Sequence, residues 1–334
     1  MSYFDSLRPP LPFDPLVAVY KDWLHLNILD HATGSVGIIN ASLHGAPGDV
    51  RSRAIGTALV HTPGRGWTGN VEILSFGEAA AVGRSSIGLE HVALALDPRS
   101  GTILVSVEDR GHGLSLRATA TPAASPIIVE ERLPFGRGWI SWRAMPRLSL
   151  SGEWIVEGER TDLRGASAYH DHNWGRWHWG DDVGWEWGCF LQPVPGAAIV
   201  LSRTTDRSHR NPGPPSLAVQ AGNRRRTFRS ASIKLDVDGE FDMVSRRLPG
   251  ALAALHQDHA RLQLPRRLLI RASDGIDHVT VEFTGREAAQ LIAGDPIVRG
   301  YGFINEIAGE FICEGKLGDL EISGGGLGAL EYVC

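Results

Sequence analysis

The chain has 334 residues, 43% of them hydrophobic and 21% charged, with a formal net charge of -5 at pH 7. That is material for one large or two ordinary globular domains, with no general attraction for nucleic acid or anionic lipid. Cys189, Cys313 and Cys334 are too few and too scattered for a disulfide framework or a structural zinc motif, which points to a reducing compartment.

The N-terminal stretch Met1 to Pro15 is Pro-rich and has no basic region followed by an apolar one, so it does not read as a signal peptide. No apolar run is long enough to span a bilayer. A cytoplasmic protein is expected, with loose membrane association and oligomeric state left open. Short apolar runs follow at Leu16 to Tyr20 and Leu24 to Leu29, then a turn at Asp30 to Gly34 and a strand from Val36 to Leu43. The rhythm continues through Ala54 to His61, Val71 to Phe76, Val92 to Leu96, Thr102 to Val107 and Leu114 to Thr121, with Gly, Pro and Asp turns between them. A second run of the same kind begins near Trp154 and includes Trp185 to Leu191, Ala198 to Arg203, Ser216 to Ala221, Thr227 to Leu235, Leu268 to Ala272 and His278 to Phe283. Arg224 to Arg226 is the one tight basic run and reads as a solvated hairpin turn. Helices are expected over Gly250 to His259 and Arg286 to Ala293, the second with an apolar face of Ala288, Ala289, Leu291 and Ile292. The tail alternates apolar and polar residues around Gly324 to Gly326, which suggests a terminal hairpin. Forty Gly and nineteen Pro argue against long helices. The expected class is all-β, a barrel or sandwich of antiparallel strands with a few short helices, divided near Leu163 to Gly165.

Titratable groups and indoles concentrate in Tyr169-His170-Asp171-His172-Asn173-Trp174-Gly175-Arg176-Trp177-His178-Trp179-Gly180, extended by Trp185 and Trp187; five of the ten Trp fall between Trp174 and Trp187. Aromatic walls around an acid suit an apolar substrate that is protonated or briefly cationic, because ring faces attract cations and dry surroundings raise a carboxyl pKa. In an extended strand Tyr169, Asp171 and Asn173 share one face, and His170, His172 and Trp174 the other. Asp171 is then a candidate acid with Tyr169 as hydrogen-bonding neighbour, and Asn173 can hold a water or a substrate oxygen. The plainer alternative is that Asp171 and Asn173 satisfy backbone N–H groups. His170, His172 and His178 invite a metal, but the carboxylate that such a set needs is replaced by Arg176 and Trp177, so no metal site is expected. No Gly-x-Ser-x-Gly or phosphate loop occurs, no Gly-x-Gly-x-x-Gly stands between a strand and a helix, and Cys189 has no basic neighbour to make it a thiolate.

Through Tyr169 to Gly175 the chain resembles the carotenoid 1,2-hydratase (hydroxyneurosporene synthase) family and its lipocalin-like relatives. Weaker likeness extends to Tyr20 to Leu29, Gly66-Trp67-Thr68-Gly69-Asn70 and the tail ending Leu330-Glu331-Tyr332. The resemblance implies two lipocalin-like β-barrel domains, residues 1–163 and 164–334, with the motif near their junction. It implies a pocket for a lipophilic isoprenoid as the small-molecule partner, and no cofactor. The family's Tyr and Asp fall on Tyr169 and Asp171. Asp171 would protonate a terminal double bond; His170 and His172 are the further catalytic candidates of the motif, expected to be neutral or to point away, since a cationic imidazole would keep Asp171 ionised. Trp142, Asn173, Trp174, Trp177, Trp179, Trp185 and Trp187 would line the substrate site. An ordinary aspartate is protonated about one time in a thousand at pH 7, a penalty of roughly 4 kcal/mol, so the site must be dry or must share a proton with a neighbour. The family also carries a His beside its upstream Trp. Here Ile140-Ser141-Trp142-Arg143-Ala144 keeps the Trp without the His, which leaves cyclisation as a rival to hydration. Relatives of this fold include pericyclases of the Diels-Alderase type, and a non-catalytic carrier of an apolar ligand is the reading from a different class.

Overall fold

The computed structural model describes residues 6–8, 10, 17–46, 49, 52–75, 81–242, 244–257, 264–295 and 300–334. Most of the Pro-rich lead-in, Leu16, Phe76 and the 258–259 end of the expected helix lie outside them. The first sheet holds β1 (Tyr20–Asp30), β2 (Ser35–His44), β3 (Arg53–Thr62), β4 (Gly66–Ser75), β5 (Ala81–Gly83), β6 (Ser86–Gly88) and β7 (Val92–Leu96). It also holds β8 (Ile103–Asp109), β9 (Leu114–Pro122), β10 (Ile127–Phe135), β11 (Gly138–Val156), β12 (Glu159–Asp162) and β13 (Ser167–Arg176). The second sheet holds β14 (Gly184–Leu191), β15 (Ala198–Thr205), β16 (Ser216–Ala221), β17 (Arg224–Arg229) and β18 (Ile233–Glu240). Its remaining strands are β19 (Arg246–Leu248), β20 (Pro265–Ser273), β21 (His278–Gly294), β22 (Tyr301–Leu317) and β23 (Leu320–Val333). One short helix, α1 (Gly250–Leu255), follows β19. The expected all-β class with a few short helices is what the chain forms. No helix among the described residues is long and apolar enough to cross a membrane.

In the first sheet the order runs β4-β3-β2-β1-β13-β11-β9-β8-β7-β6-β5, and β7 packs across onto β2 and β3 without pairing with them, so the sheet curls over its own core. That core includes Leu24, Leu26, Ile28, Val105, Leu116 and Ala168. The second sheet, ordered β17-β16-β15-β14-β23-β22-β21-β20-β18, closes over Phe190, Leu217, Ile270, Phe283 and Phe311. A third apolar cluster lies between the sheets and holds Trp142, Tyr169, Trp177, Trp179, Trp185 and Trp187. The strands that meet there are β1 and β13 from one side and β14 and β23 from the other; β1, β13 and β14 are buried on nearly every residue, and β23 is continuously buried over Leu327 to Leu330 beside them.

The chain changes sheet between Arg176 and Gly184, whereas the sequence reading divides it at residues 163 and 164. β13 pairs with both β1 and β11 and so completes the first sheet.

The helix expected over Arg286 to Ala293 is instead the second half of β21. Ala289 and Leu291 face the cluster between the sheets while Ala288 faces the core of the second one. A strand buried on both faces reads as a continuous apolar run, and such a run mimics helical spacing. The terminal hairpin also lies elsewhere: β22 turns into β23 at Gly318-Asp319, and Gly324 to Gly326 sit within β23. A Cβ on Gly326 would lie 2.2 Å from the Leu191 carbonyl oxygen, so the glycine lets β23 pass close to β14.

Arg147 on β11 joins the two sheets. Its buried guanidinium donates to Ser167 Oγ at 3.1 Å, to the Gln192 carbonyl at 3.0 Å and to the Ala197 carbonyl at 2.7 Å. Burial lowers its pKa only to about 10, so it stays charged at neutral pH. Arg147→Leu is expected to destabilise the protein by about 2–3 kcal/mol through the loss of charge-assisted bonds to buried carbonyls, read as a lowered urea midpoint.

Candidate active site

Alternation along β13 sorts the motif into two environments. Ala168 joins the interior of the first sheet and Tyr169 the cluster between sheets, so Tyr169, Asp171 and Asn173 face the junction. Asp171 is 3% exposed. Tyr169 donates its phenol proton to Asp171 Oδ2 at 2.9 Å, Asn173 Nδ2 donates to Oδ1 at 2.5 Å, and Trp187 Nε1 donates to the Tyr169 oxygen at 3.2 Å. The register sets His25 of β1 opposite Asp171, with Trp23 opposite Asn173 on one side and Trp142 opposite it on the other.

Two cavities meet at this face. The smaller, about 70 Å³, is lined by Asp171, Asn173, Trp142, Trp185, Trp187 and neighbours including Phe135 and Ile140. The larger, about 600 Å³, has Ile55, Val71, Ile73, Leu252 and Leu291 along apolar walls; Ile73, 44% exposed, stands at its open side. Trp23, His25, Trp185 and Glu331 line both, and the Trp23 and Trp185 rings stack with centroids 6.5 Å apart.

Electrostatics follow from dryness. Burial pushes the Asp171 carboxyl up to about 8; the hydrogen bond from Tyr169 opposes the rise and the Glu331 carboxyl adds to it. Among the described residues no Lys or Arg bonds to Asp171. Burial drives the Tyr169 phenol well above its ordinary range, so it remains a donor. Burial also pushes His25 down to about 4. Its Nε2 lies 2.9 Å from Asn27 Oδ1 and its Nδ1 3.4 Å from Asn40 Nδ2, a pairing that fits a neutral ring protonated on Nε2.

The remaining residues singled out from the sequence divide clearly. Trp142, Asn173, Trp185 and Trp187 line the smaller cavity and Trp179 the larger. Trp177 lines neither; it packs edge-on to Trp23 and Phe135 with the Lys21 ammonium 4.6 Å above its ring. His170, His172 and Trp174 lie on the opposite face of β13 and do not reach the chamber. His170 Nδ1 is 2.8 Å from the His25 carbonyl oxygen, His172 Nε2 is 2.7 Å from Asp22 Oδ1, and Trp174 packs on His172 under the Arg8 guanidinium. These two imidazoles are bound to other groups because a period of two sends alternate side chains to opposite sides of the sheet. His178 lines neither cavity and pairs at 3.0 Å with Asp295, which lines the larger one.

Sequence reasoning did not single out Trp23, His25, Glu306 or Glu331 as site residues. Each stands far along the chain from the motif and enters the site only through strand pairing. The apolar opening Tyr20 to Leu29 carried a hint, since Trp23, His25 and Asn27 alternate there as Tyr169, Asp171 and Asn173 do in β13.

No protein-family model matches the chain, and no curated protein matches it. Solved structures do. An ATTH protein (NE1406) of Nitrosomonas europaea superposes with a TM-score of 0.68 at 14% identity, over 98% of this chain and 99% of that one. Kievitone hydratase of Nectria haematococca gives 0.63 at 12% identity, over 96% and 91%. CghA with Sch210972 gives 0.59 at 11% identity, over 99% and 96%. The likeness runs the whole length and establishes a two-sheet, lipocalin-like fold; at these identities the chemistry has to be argued from side chains.

A pH dependence of stability follows. An unfolded aspartate titrates near ~3.9, and folded Asp171 at about 8. The folded chain therefore keeps a proton that the unfolded chain releases, and this group's stabilisation is fully present below about pH 4 and lost as pH rises toward about 8. Urea midpoints measured near pH 5 and near pH 8 should fall more for the wild type than for Asp171→Asn, by on the order of 2–5 kcal/mol in unfolding free energy.

Proposed function

We propose that the protein is a cofactor-independent enzyme of the hydratase or cyclase kind, with Asp171 as proton donor to a carbon–carbon double bond of an isoprenoid or other polyene. The observation that carries this is a carboxyl group raised to about 8, buried beside Trp142 and Trp187 at a cavity wall. A general acid works best with a pKa near the working pH, and Asp171 meets that condition where an ordinary aspartate does not. The ligand's body fills the larger cavity and its reacting end lies against Asp171. Proton transfer leaves a tertiary cation between indole faces, which stabilise it through the ring quadrupole. Water or a hydroxyl within the substrate adds to the cation and the resulting oxonium returns its proton to the Asp171 carboxylate; where an internal alkene traps the cation, the carboxylate takes the proton from the carbon next to the new cationic centre. Tyr169 holds the Asp171 carboxyl in place and is not itself a proton source, because its phenol is driven far above the range in which it ionises.

Two of the structural neighbours support a small-molecule reading, one by its name as a hydratase and one by the molecule that it holds. One observation favours a pericyclic second reading: Asp171 does not line the larger cavity. A polyene folded entirely within that space would react without its proton. The two readings part on a single substitution. Asp171→Asn is expected to lower turnover of an accepted polyene by about 10²–10⁴-fold with binding retained, and turnover in D₂O should place deuterium on the protonated carbon. Undiminished activity in Asp171→Asn, or product without deuterium, would leave the pericyclic reading.

The pH profile gives a second check. Turnover should be level below about pH 8 and fall above it, since the donor must hold its proton. The Tyr169 bond lowers the Asp171 pKa, so Tyr169→Phe should move the alkaline limb to higher pH.

A further inference from the structure

At the junction of the two cavities the second sheet presents two carboxyls of its own. Glu306 on β22 and Glu331 on β23 are directly paired across the strands, and their side chains hydrogen-bond to each other. The Trp185 indole N–H donates to Glu331 Oε1. Both line the larger cavity, and Glu331 lines the smaller one as well. Glu306 is 1% exposed, and its Oε2 has no hydrogen-bond partner, although buried carboxyl oxygens rarely go unpartnered. Among the described residues neither carboxyl bonds to a Lys or Arg.

We infer that Glu306 and Glu331 form a recognition site for a hydroxyl group of the ligand, so that the larger cavity takes an apolar skeleton carrying an alcohol or phenol at its inner end. Two adjacent carboxyls with no cation between them cannot both ionise and instead share a proton. Burial raises both carboxyls, so the pair holds a shared proton. Glu331 also accepts the Trp185 N–H, which favours it as the acceptor of the pair and Glu306 as the donor to it. The Glu306 oxygen left without a partner is a carbonyl-type acceptor, and an acceptor calls for a ligand donor. Neutral His25, Asn40, Ser42 and Thr57 in the same cavity suit a hydroxyl. Arg53 and Asp295 also line it with opposite charges, which cancel as a reason for the cavity to prefer a charged ligand. The inference rests on the chamber being a ligand site, as proposed above, but not on Asp171 being the acid.

The test uses the full chain and follows Trp fluorescence, since Trp23, Trp179 and Trp185 line the cavity. Geraniol, farnesol and geranylgeraniol are titrated beside their methyl ethers and the corresponding primary amines. The wild type should bind at least one alcohol about tenfold more tightly than its ether, the value of one buried hydrogen bond. Glu306→Gln keeps a donor toward Glu331 and an acceptor toward the cavity and should preserve that preference. Glu306→Leu should abolish it while still binding the ether. Equal affinity for alcohol and ether, no binding of any alcohol, tighter binding of the amine, or a preference that survives in Glu306→Leu would each overturn the inference. Asp171→Asn separates the two proposals. A lost turnover with no alcohol preference removes this site and leaves the acid; an intact preference with turnover indifferent to Asp171 does the reverse.

Discussion

Burial of the same strands on both faces is the constraint from which the rest of the structure follows. β1 and β13 have the core of their own sheet on one side and the opposing sheet on the other, so none of their polar side chains can rely on water. Each must find a protein partner or give up its charge. On the inner face partners are at hand, and His172 meets Asp22 at 2.7 Å. On the face toward the second sheet Asp171 meets a phenol and an amide, which bind a carboxyl in either protonation state but supply no counter-charge.

Glu186 shows that burial alone does not make a neutral acid. It is buried too, and burial by itself would raise its pKa. Hydrogen bonds from His209 and Arg203, with the Arg203 guanidinium 2.6 Å away, more than offset that effect and leave it below the ordinary glutamate range. Glu186 and Trp187 are neighbours on β14 and point to opposite sides of the sheet. One side supplies a guanidinium and the other supplies indoles. The difference between a structural ion pair and a candidate proton donor is therefore one residue of strand register, which is why a slip in pairing would destroy the site rather than weaken it.

The period of two was legible in the sequence, and it is what placed Tyr169, Asp171 and Asn173 together. The same period, read without pairing, could not say which cross-strand neighbours would join them. His25 faces Asp171 from 146 residues away in sequence, and Glu306 and Glu331 come from the last two strands. The upstream His that the resemblance calls for is absent near Trp142, yet an imidazole stands at Asp171 all the same, supplied by β1. The density of indoles drew attention to Trp174 and Trp177 as much as to Trp187, since composition carries no information about face. The second half of β21 has a helix-like sequence for a related reason. Burial on both sides removes the polar residues whose alternation marks a strand, and what is left has the look of an apolar helix face.

Each sheet contributes one half of the chamber, Asp171 and His25 from the first and Glu306 and Glu331 from the second, so the chemistry depends on how the two halves are held. The contact between them is largely aromatic. Tyr169 and Trp187 pack with centroids 4.9 Å apart, Trp187 also meets His25 and Trp142, and the Trp187 N–H ties the two sheets through the Tyr169 oxygen. Rings give a large contact area with few rotatable bonds, so they fix the spacing between sheets at low entropic cost while keeping it free of charge. Hydrogen bonds from Arg147 to the turn between β14 and β15 pin the same junction from its edge. A change there alters the distance between the Asp171 and Glu331 carboxyls without touching either. Because the Glu331 carboxyl raises that of Asp171 through that distance, the protonation of the chamber is a property of the sheet-to-sheet packing as a whole and not of the motif that first marks it.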